Sequence, residues 1–379
     1  MENNPAAATT NPEPDDNDIN DLAGARIEEY EVLAYLDSSS FNVLWLAKHW
    51  ETDQLVALNM LRESSNRQKR LVQADNWNKM TKLHSLLYHP HIAKVIGSID
   101  SSGYKISVID YGSVAQDLKK YIADKEFMDE LESRLLFRQV LSAVAYMHKN
   151  HVCHGGLSLS SIRVENERLF LAGFEFAQLF NSQNEFSKHV GYLGFMAPEL
   201  VQKQLYKGTD IDIWALGVIL YNMLCGSAPF TGATREEVFE QIVSSEIDMP
   251  LYLTEEAVDL LRRMLARDPR DRIKMNELLD HPWLAIECDE AIDIHLPSRP
   301  DVVLQPDMDI IAMLSGFGFD PASTVKALSS KEYQGPAKPA YHLLKEKLER
   351  EQKHNLEVKP SFITDNRDNI DDEKPLIEL

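Results

Sequence analysis

Three histidines close together are the side chains of this sequence that most readily suggest chemistry. His148, His151 and His154 lie in the segment MHKNHVCHGG, and imidazole nitrogens bind zinc and other divalent metals. A zinc site also needs a cysteine or an acid at a suitable spacing, and the candidate, Cys153, stands directly beside His154. The spacing therefore does not indicate a metal site, and we predict none.

The residues that follow contain glycines and serines where an active site would need charge. Residues 151–178 read HVCHGGLSLSSIRVENERLFLAGFEFAQ. Two acids in this stretch, Glu165 and Glu167, could take part in acid–base chemistry, but we interpret them as residues of a turn. The stretch by itself therefore does not establish an active centre, and the elements around it have to be considered.

Short strands are predicted ahead of this stretch, and helices from about residue 115 onward. Apolar alternation and turn-forming serines in residues 30–62 predict three strands. Residues 66–88 read as a helix and residues 91–112 as a hairpin. A small strand-rich part is thus expected to precede a larger helical part.

The later helices carry clear signals. In TEEAVDLLRRMLARDP the capping residue Thr254 precedes apolar residues at helical spacing, which are Ala257, Leu260, Leu261, Met264 and Leu265. Residues 285–306 contain three prolines and predict a linker. Residues 307–350 then predict a last helical module.

The net charge of −21 is strongly acidic and concentrated at the ends of the chain. We predict disordered acidic tails at residues 1–29 and 351–379. An acidic surface repels nucleic acid and anionic lipid, so neither is expected as a partner. Three scattered cysteines, no signal peptide and no apolar run long enough to span a bilayer predict a cytoplasmic protein that can also be nuclear.

Several motifs resemble landmarks of the protein kinases, in the order that this family has them. They are HPHI (89–92), MAPEL (196–200), DIDIWALGVILYNMLCGSAPF (210–230), DPRDR (268–272) and HPW (281–283). Within the family, the sequence is similar to the calmodulin-kinase-like group of serine/threonine kinases, and most of all to the AMP-activated protein kinase catalytic subunit. Residues 307–350, with GFGFD and AYHLL, resemble the ubiquitin-associated-like three-helix module of those kinases.

The resemblance implies an α+β, bilobal protein kinase-like fold over residues 30–284. The small β-rich lobe would cover about residues 30–111 and the large α-helical lobe about residues 112–284. It also implies structural roles for residues that align the lobes and brace the large lobe: His154, Phe174, Glu199, Asp212 and Arg272.

The same resemblance places unusual residues at the catalytic positions. The family's H-R-D-L-K-P-E-N falls on residues 154–161, so that the base, the lysine and the second metal ligand become Gly156, Ser158 and Ser161. The D-F-G motif falls on residues 173–175, where Gly173 replaces the metal-binding aspartate. Glu175, an acid two residues later, is expected to face elsewhere.

The nucleotide site implied by the resemblance is also altered. The phosphate-covering loop, L-G-x-G-x-F-G, falls on residues 36–42 without its glycines, and the phosphate lysine of V-A-I-K becomes Asn59. Arg163 stands where the family has the leucine below the adenine, unless a shift of register makes Ile162 or Val164 the floor. The implied site comprises Leu36, Asp37, Ser39, Asn42, Leu44, Ala57, Asn59, Ile109 and Arg163.

From these residues we predict a catalytically impaired kinase homologue that acts through protein–protein interaction, as a scaffold, decoy or allosteric regulator. ATP and magnesium binding would be lost, leaving no cofactor. Its partners would be proteins, such as an active kinase or its substrates. It would not join an AMP-activated kinase heterotrimer, because the C-terminal region used for that assembly is missing. Two alternatives stay open: a weakly active serine/threonine kinase with substitute catalytic groups such as Glu175, and a nucleotide-binding switch without transfer.

Overall fold

A six-stranded antiparallel sheet forms the small lobe. The computed structural model describes residues 22–357 except 40–41, 63, 65, 102–103, 114–115, 126–127, 182–184 and 289. The strand order is β1-β2-β3-β4-β6-β5, with β1 Arg26–Ile27, β2 Tyr30–Ser38, β3 Asn42–His49, β4 Leu55–Leu61, β5 Val95–Ser101 and β6 Tyr104–Asp110. The three strands predicted over residues 30–62 are β2, β3 and β4. Their inward side chains, among them Val32, Trp45 and Leu58, form the core of this lobe.

Helix α1, Arg67–Leu86, packs beside the sheet. Its N-terminus is capped by Asn66, whose side chain accepts hydrogen bonds from two backbone N–H groups of the first turn. Trp77, Met80 and Leu83 are buried on its inner face. The helix places His84 near its C-terminal end, against the boundary between the two lobes.

The large lobe is built around α5, Gly208–Cys225, whose apolar sequence is buried on all sides. Around it lie α2 Leu118–Lys125, α3 Glu130–Lys149, α4 Pro198–Val201, α6 Arg235–Ser244, α7 Glu255–Met264, α8 Met275–Leu279 and α9 Pro282–Ala285. The apolar residues predicted for α7 are buried, and the Thr254 hydroxyl accepts the Ala257 N–H at 3.3 Å. The α+β, two-lobed fold is confirmed.

Five short strands lie on the large lobe next to the sheet. They are β7 Gln116–Asp117, β8 Val152–Cys153, β9 Ile162–Glu165, β10 Arg168–Leu171 and β11 Gln178–Leu179. Strands β9 and β10 form a hairpin, and β7 pairs with β9. Together they hold residues 154–161 and 172–177 at the boundary of the lobes.

Three helices follow the linker: α10 Met308–Ser315, α11 Pro321–Ser329 and α12 Ala337–Glu357. Helix α12 packs on α1, where Lys347 donates to the Ser85 hydroxyl at 3.0 Å. In the linker, Arg299 forms a double hydrogen bond with Glu346 and donates to Asn150 at the end of α3. The C-terminal helices therefore contact both lobes; their likeness to a ubiquitin-associated module stays a prediction.

The ends of the chain differ from the predicted tails where the structure describes them. Residues 26–27 pair with β2, and Ile27 is buried, so the predicted N-terminal tail is too long. Helix α12 continues seven residues past the predicted end of its module at residue 350, to Glu357. At the N-terminal end, burial of the apolar side chain of Ile27 offsets the entropy cost of ordering residues that the charge composition assigns to a disordered tail. The remainder of both predicted tails, residues 1–21 and 358–379, lies outside the described residues.

Candidate active site

A cavity of about 420 Å³ lies between the sheet and the large lobe. Its volume is within the range of small-molecule sites. Most of the residues predicted for the nucleotide and catalytic sites line it: Asp37, Ser39, Asn42, Leu44, Asn59, Ile109, Ser158, Ser161, Arg163 and Gly173. The fold therefore brings the predicted residues together although they are far apart in sequence.

One wall of the cavity is apolar. Leu44, Ala57, Ile109 and Ala172 form a small buried cluster, against which Leu36 packs. The register of the sheet brings these residues together. Ala57 of β4 pairs with Leu46 of β3 on one side and with Ile109 of β6 on the other. Such a wall suits the face of a planar ring.

Arg163 lies in the cavity and connects it to the strand above. Its Nη2 is 3.0 Å from Oδ2 of Asp37, at the end of β2. The neighbours Ile162 and Val164 are buried in the large lobe, and they do not line the cavity. The alternative in which either of them forms the floor is therefore wrong. The Arg163 side chain is only 13% exposed, and the carboxylate of Asp37 offsets part of the desolvation of its guanidinium.

Replacing Arg163 by leucine should increase the affinity of the cavity for ATP by about tenfold, which corresponds to about 1.4 kcal/mol. In the present arrangement a nucleotide has to displace a partly buried ion pair before its base meets the apolar wall. Isothermal titration of ATP into both proteins would measure the change. Arg168→Leu, on β10 outside the cavity, is the matched control. An affinity equal to or below that of the parent protein would contradict the role assigned to Arg163.

Glu175 also faces the cavity, so the expectation that it faces elsewhere is wrong. Asn42 donates from its amide nitrogen to Oε1 of Glu175 at 3.0 Å and to Oδ1 of Asn59 at 2.6 Å. The second carboxylate oxygen, Oε2, is buried without a hydrogen-bond partner among the described residues. Burial raises the pKa of Glu175 above its ordinary value.

The local backbone explains why Glu175 turns inward. Gly173 has a φ of 71°, and residues 174–176 form a single 3₁₀ turn. A Cβ at Gly173 would lie 3.0 Å from the Ser161 Cβ, so this close approach favours glycine. The turn directs the side chain of the third residue of the motif, Glu175, into the cavity, where the first residue, Gly173, contributes only backbone.

The serines of the catalytic loop stabilise their own turn. The backbone N–H of Ser158 donates to Oγ of Ser161 at 2.9 Å, and the N–H of Ser161 donates to Oγ of Ser158 at 3.2 Å. Both side chains stand at positions where the family has charged or amide groups. Their hydroxyls are engaged in a reciprocal cap.

Phe176 lies against the two glycines of this loop, with its ring at Gly156 and its backbone at Gly155. A Cβ built at Gly156 would be 2.5 Å from Cδ2 of Phe176, and one at Gly155 would be 2.9 Å from the Phe176 carbonyl. The ring of Phe176 also makes an edge contact with Tyr192, with 5.6 Å between ring centres. Neither Phe176 nor Tyr192 stands at a position that the family motifs mark. The signal available in the sequence was the pair Gly155 and Gly156, because two adjacent glycines leave room for a bulky side chain from another segment, here Phe176.

Three rings connect the lobes behind the cavity. Phe174 stacks on His84 of α1 with 3.8 Å between ring centres, and it contacts His154 at 5.1 Å. The Nε2 atoms of His84 and His154 are 2.7 and 2.9 Å from the carbonyls of Ala93 and Ala172. Burial lowers the pKa of His84 to about 3 and lowers that of His154 as well. His84 was missed in the sequence, where it reads as an ordinary helix residue.

Two buried carboxylates brace the large lobe below the site. Asp212 accepts hydrogen bonds from the backbone N–H groups of His154 and Gly155, at 2.9 and 2.8 Å. Glu199 pairs with both terminal nitrogens of Arg272, at 2.7 and 3.0 Å. These contacts fix the backbone of residues 154–155 and hold MAPEL against the segment that carries Arg272.

Among the described residues, no group of three or more histidine, cysteine, aspartate or glutamate side chains is arranged to hold a metal ion. No described helix combines the length and apolar character needed to cross a bilayer.

Comparison with known proteins identifies the fold. Residues 30–284 match the family model described as protein kinase domain. The chain belongs to the protein kinase family. This kinase-family chain is 29% identical to a probable serine/threonine-protein kinase, MARK-C of Dictyostelium discoideum, over 92% of its own length and 45% of that protein.

Two further relatives are also kinases by name. The carbon catabolite-derepressing protein kinase of Saccharomyces cerevisiae is 32% identical over 75% of this chain and 44% of the yeast protein. Serine/threonine-protein kinase SIK2 of Gallus gallus is 26% identical over 89% of this chain and 42% of its own length. The kinase-family chain thus spans about half the length of the curated relatives it matches.

These relatives correct the main functional prediction. A catalytically impaired homologue acting only through protein interaction is contradicted by relatives that are named as protein kinases. They favour the alternative of a weakly active serine/threonine kinase. The roles assigned to Asn59, Gly156, Ser158, Ser161 and Gly173 stay predictions.

Proposed function

We propose that this chain is a serine/threonine protein kinase of low turnover, which transfers the terminal phosphate of ATP to hydroxyl groups of proteins. The relatives support the reaction class, and one feature of the cavity supports the chemistry. That feature is the carboxylate of Glu175, which lines the cavity. The family motif has its metal-binding aspartate two residues earlier in the sequence, at the position of Gly173.

The surroundings of Glu175 suit a divalent cation. Its Oε2 atom is buried without a partner among the described residues, which is costly for a carboxylate unless something binds it. Magnesium in phosphoryl-transfer sites is typically held by one or two carboxylates together with the phosphates. Glu175 would hold the ion, whose charge, when it is bound, offsets that of the phosphates.

Two residues at the positions of the family's catalytic groups explain why turnover should be low. Asn59 offers no positive charge to the phosphates, and Gly156 has no side chain to accept the hydroxyl proton. A general base contributes roughly 10²- to 10⁴-fold to a rate. Phosphoryl transfer depends mainly on positioning and electrostatic stabilisation, so loss of the base slows the reaction more than it abolishes it.

The proposal requires ATP and a divalent cation, against the expectation from sequence that both are lost. A thermal-shift measurement with ATP, with and without magnesium, distinguishes retained binding of ATP and metal from the loss of both. Ligand that binds the native state raises its stability, by about 2.7 kcal/mol at a hundredfold excess over Kd. A shift that requires the metal supports the proposal.

Replacing Glu175 by glutamine should reduce phosphate transfer at least tenfold, because the amide keeps the size of the side chain and its hydrogen bond from Asn42 but removes the charge. The measurement is transfer of radiolabelled phosphate from ATP to the protein itself and to generic substrates, with magnesium or manganese. Glu167→Gln, on the turn between β9 and β10, is the matched control and should leave the transfer unchanged.

Two outcomes would overturn the proposal. One is transfer by the parent protein that is no greater than that of Glu175→Gln. The other is a thermal shift by ATP that needs no metal, without transfer, which is the behaviour of a nucleotide-binding switch.

A further inference from the structure

Tyr192 lines the cleft at a position to which the family motifs give no role. It stands in GYLGF (191–195), directly before MAPEL, and it lines the cavity together with Phe195. The two residues are the ends of one turn, in which the Phe195 N–H donates to the Tyr192 carbonyl at 3.0 Å. The third residue of the turn, Gly194, has a φ of 88°, as a type II turn requires. The turn thus brings both of its aromatic ends to the cavity.

The ring of Tyr192 is held beside the catalytic loop. It makes its edge contact with Phe176, which lies against Gly156. The preceding residue, Gly191, passes so close to the loop that a Cβ there would lie 3.3 Å from the Gly155 carbonyl oxygen. Tyr192 therefore belongs to the end of the cavity formed by the catalytic loop, whereas most of the apolar wall that suits a planar ring comes from β3, β4 and β6.

The hydroxyl of Tyr192 is available to a ligand. It makes no hydrogen bond to another described residue, and it is not one of the polar atoms that the protein encloses. Burial of the ring, and after it the charge of Glu175, raises the pKa of this phenol, so Glu175 lies in the same part of the cavity. The phenol, whose ordinary pKa is about 10, is a protonated donor at neutral pH.

The side chains that replace the family's lysines leave room for such a donor. Asn59 and Ser158 carry no charge, and the Ser158 hydroxyl accepts the Ser161 N–H at 3.2 Å. Arg163 is already paired with Asp37. A phosphate group at this end of the cavity would gain from a further donor, because hydrogen bonds to a charged group are stronger than those between neutral groups.

We propose that the phenol of Tyr192 donates a hydrogen bond to an oxygen of the terminal phosphate of ATP. With the base on the apolar wall, the triphosphate has to extend toward the catalytic loop, and the terminal phosphate is the part that comes closest to Tyr192. The hydroxyl would supply part of the stabilisation that the phosphate lysine gives in the family. This inference rests on the function proposed for the cleft, because it requires ATP to bind there.

Tyr192→Phe tests the assignment, because it keeps the ring and its contact with Phe176 and removes only the hydroxyl. Isothermal titration with magnesium present should give a Kd for ATP about tenfold weaker than that of the parent protein. The Kd for ADP, which lacks the terminal phosphate, should change by less than about twofold. The melting temperature of the ligand-free variant should equal that of the parent, because the hydroxyl has no partner to lose among the described residues. Tyr88→Phe, at an exposed tyrosine outside the cavity, is the matched control.

The outcomes separate this assignment from the function proposed for the cleft. An ATP Kd in Tyr192→Phe equal to that of the parent would overturn the assignment alone, and the proposed function would stand if the parent still transfers phosphate. Equal weakening of ATP and ADP would also overturn it, since the effect would then not come from the terminal phosphate. The absence of ATP binding by the parent protein would overturn the assignment and the proposed function together.

Discussion

Replacing Gly156 by aspartate should destabilise the protein by about 2–3 kcal/mol, and removing the Phe176 ring in the same molecule should recover much of that loss. The aspartate restores the family's base, but a Cβ at this position would lie 2.5 Å from Cδ2 of Phe176 and 3.4 Å from Cγ and Cε2. Overpacking of this kind typically costs about 1–3 kcal/mol, and enclosing a carboxylate under the ring adds to it.

A double-mutant cycle separates the clash from a general effect of the substitution. Urea unfolding of Gly156→Asp, Phe176→Ala and the double variant should give a favourable coupling of at least about 1 kcal/mol, because the small side chain makes room for the acid. Gly97→Asp is the control for introducing an aspartate, since a Cβ there meets nothing within 4 Å. Additive free energies in the cycle would show that the ring does not occupy the place of the acid.

The cycle also tests the proposed kinase activity. If the low turnover comes from the missing base, the double variant should transfer phosphate faster than Phe176→Ala alone. Gly156→Asp alone should gain less, because the ring prevents the acid from reaching the position it has in the family.

The sequence predicted the frame of this site more successfully than the directions of its side chains. Motif order located the lobes, and helical spacing identified the buried face of α7. For Arg163 the information was present, because Ile162 and Val164 lie on one face of a strand and the residue between them must lie on the other. This alternation alone rules out Ile162 and Val164 as the floor of the cleft and leaves Arg163 there.

The inward turn of Glu175 was not accessible in the same way. It depends on the positive φ of Gly173 and on the close approach of Ser161, which comes from a different loop. The cover that Phe176 provides for Gly156 is likewise a contact between two loops. Spacing along the chain reports local periodicity, whereas these contacts depend on how separate loops share a volume.

Acidification should destabilise the protein steeply below about pH 6.5. Burial lowers the pKa of His84 and His89 to about 3 and that of His342 to about 4. For His89 the neighbouring His91 and His295 act in the same direction, and for His342 so do Arg299, Lys345 and Lys338. Each ring takes up a proton near pH 6.5 when the chain unfolds but stays neutral in the native state.

The sign follows from this difference in bound protons. Above about pH 6.5 both states are neutral at these rings and the stability is fully present; it is lost as the pH falls from there towards the native pKa values. Near pH 5 the three rings together give a slope of about 4 kcal/mol per pH unit, since each proton contributes about 1.4. Glu175, whose pKa is raised, acts in the opposite sense but can offset only one proton.

Urea unfolding at a series of pH values between 7.5 and 5 measures this slope directly. We expect an uptake of about three protons or more on unfolding near pH 5, because burial also lowers the pKa of His91, His151 and His154. His342→Gln should reduce the uptake by about one because that ring no longer titrates. His189→Gln, which replaces an exposed histidine, is the control for the loss of an imidazole. A stability that is flat between pH 6.5 and 5 would mean that the buried rings already accept protons in the native state, and the stacked contact between His84 and Phe174 would then have to hold an imidazolium.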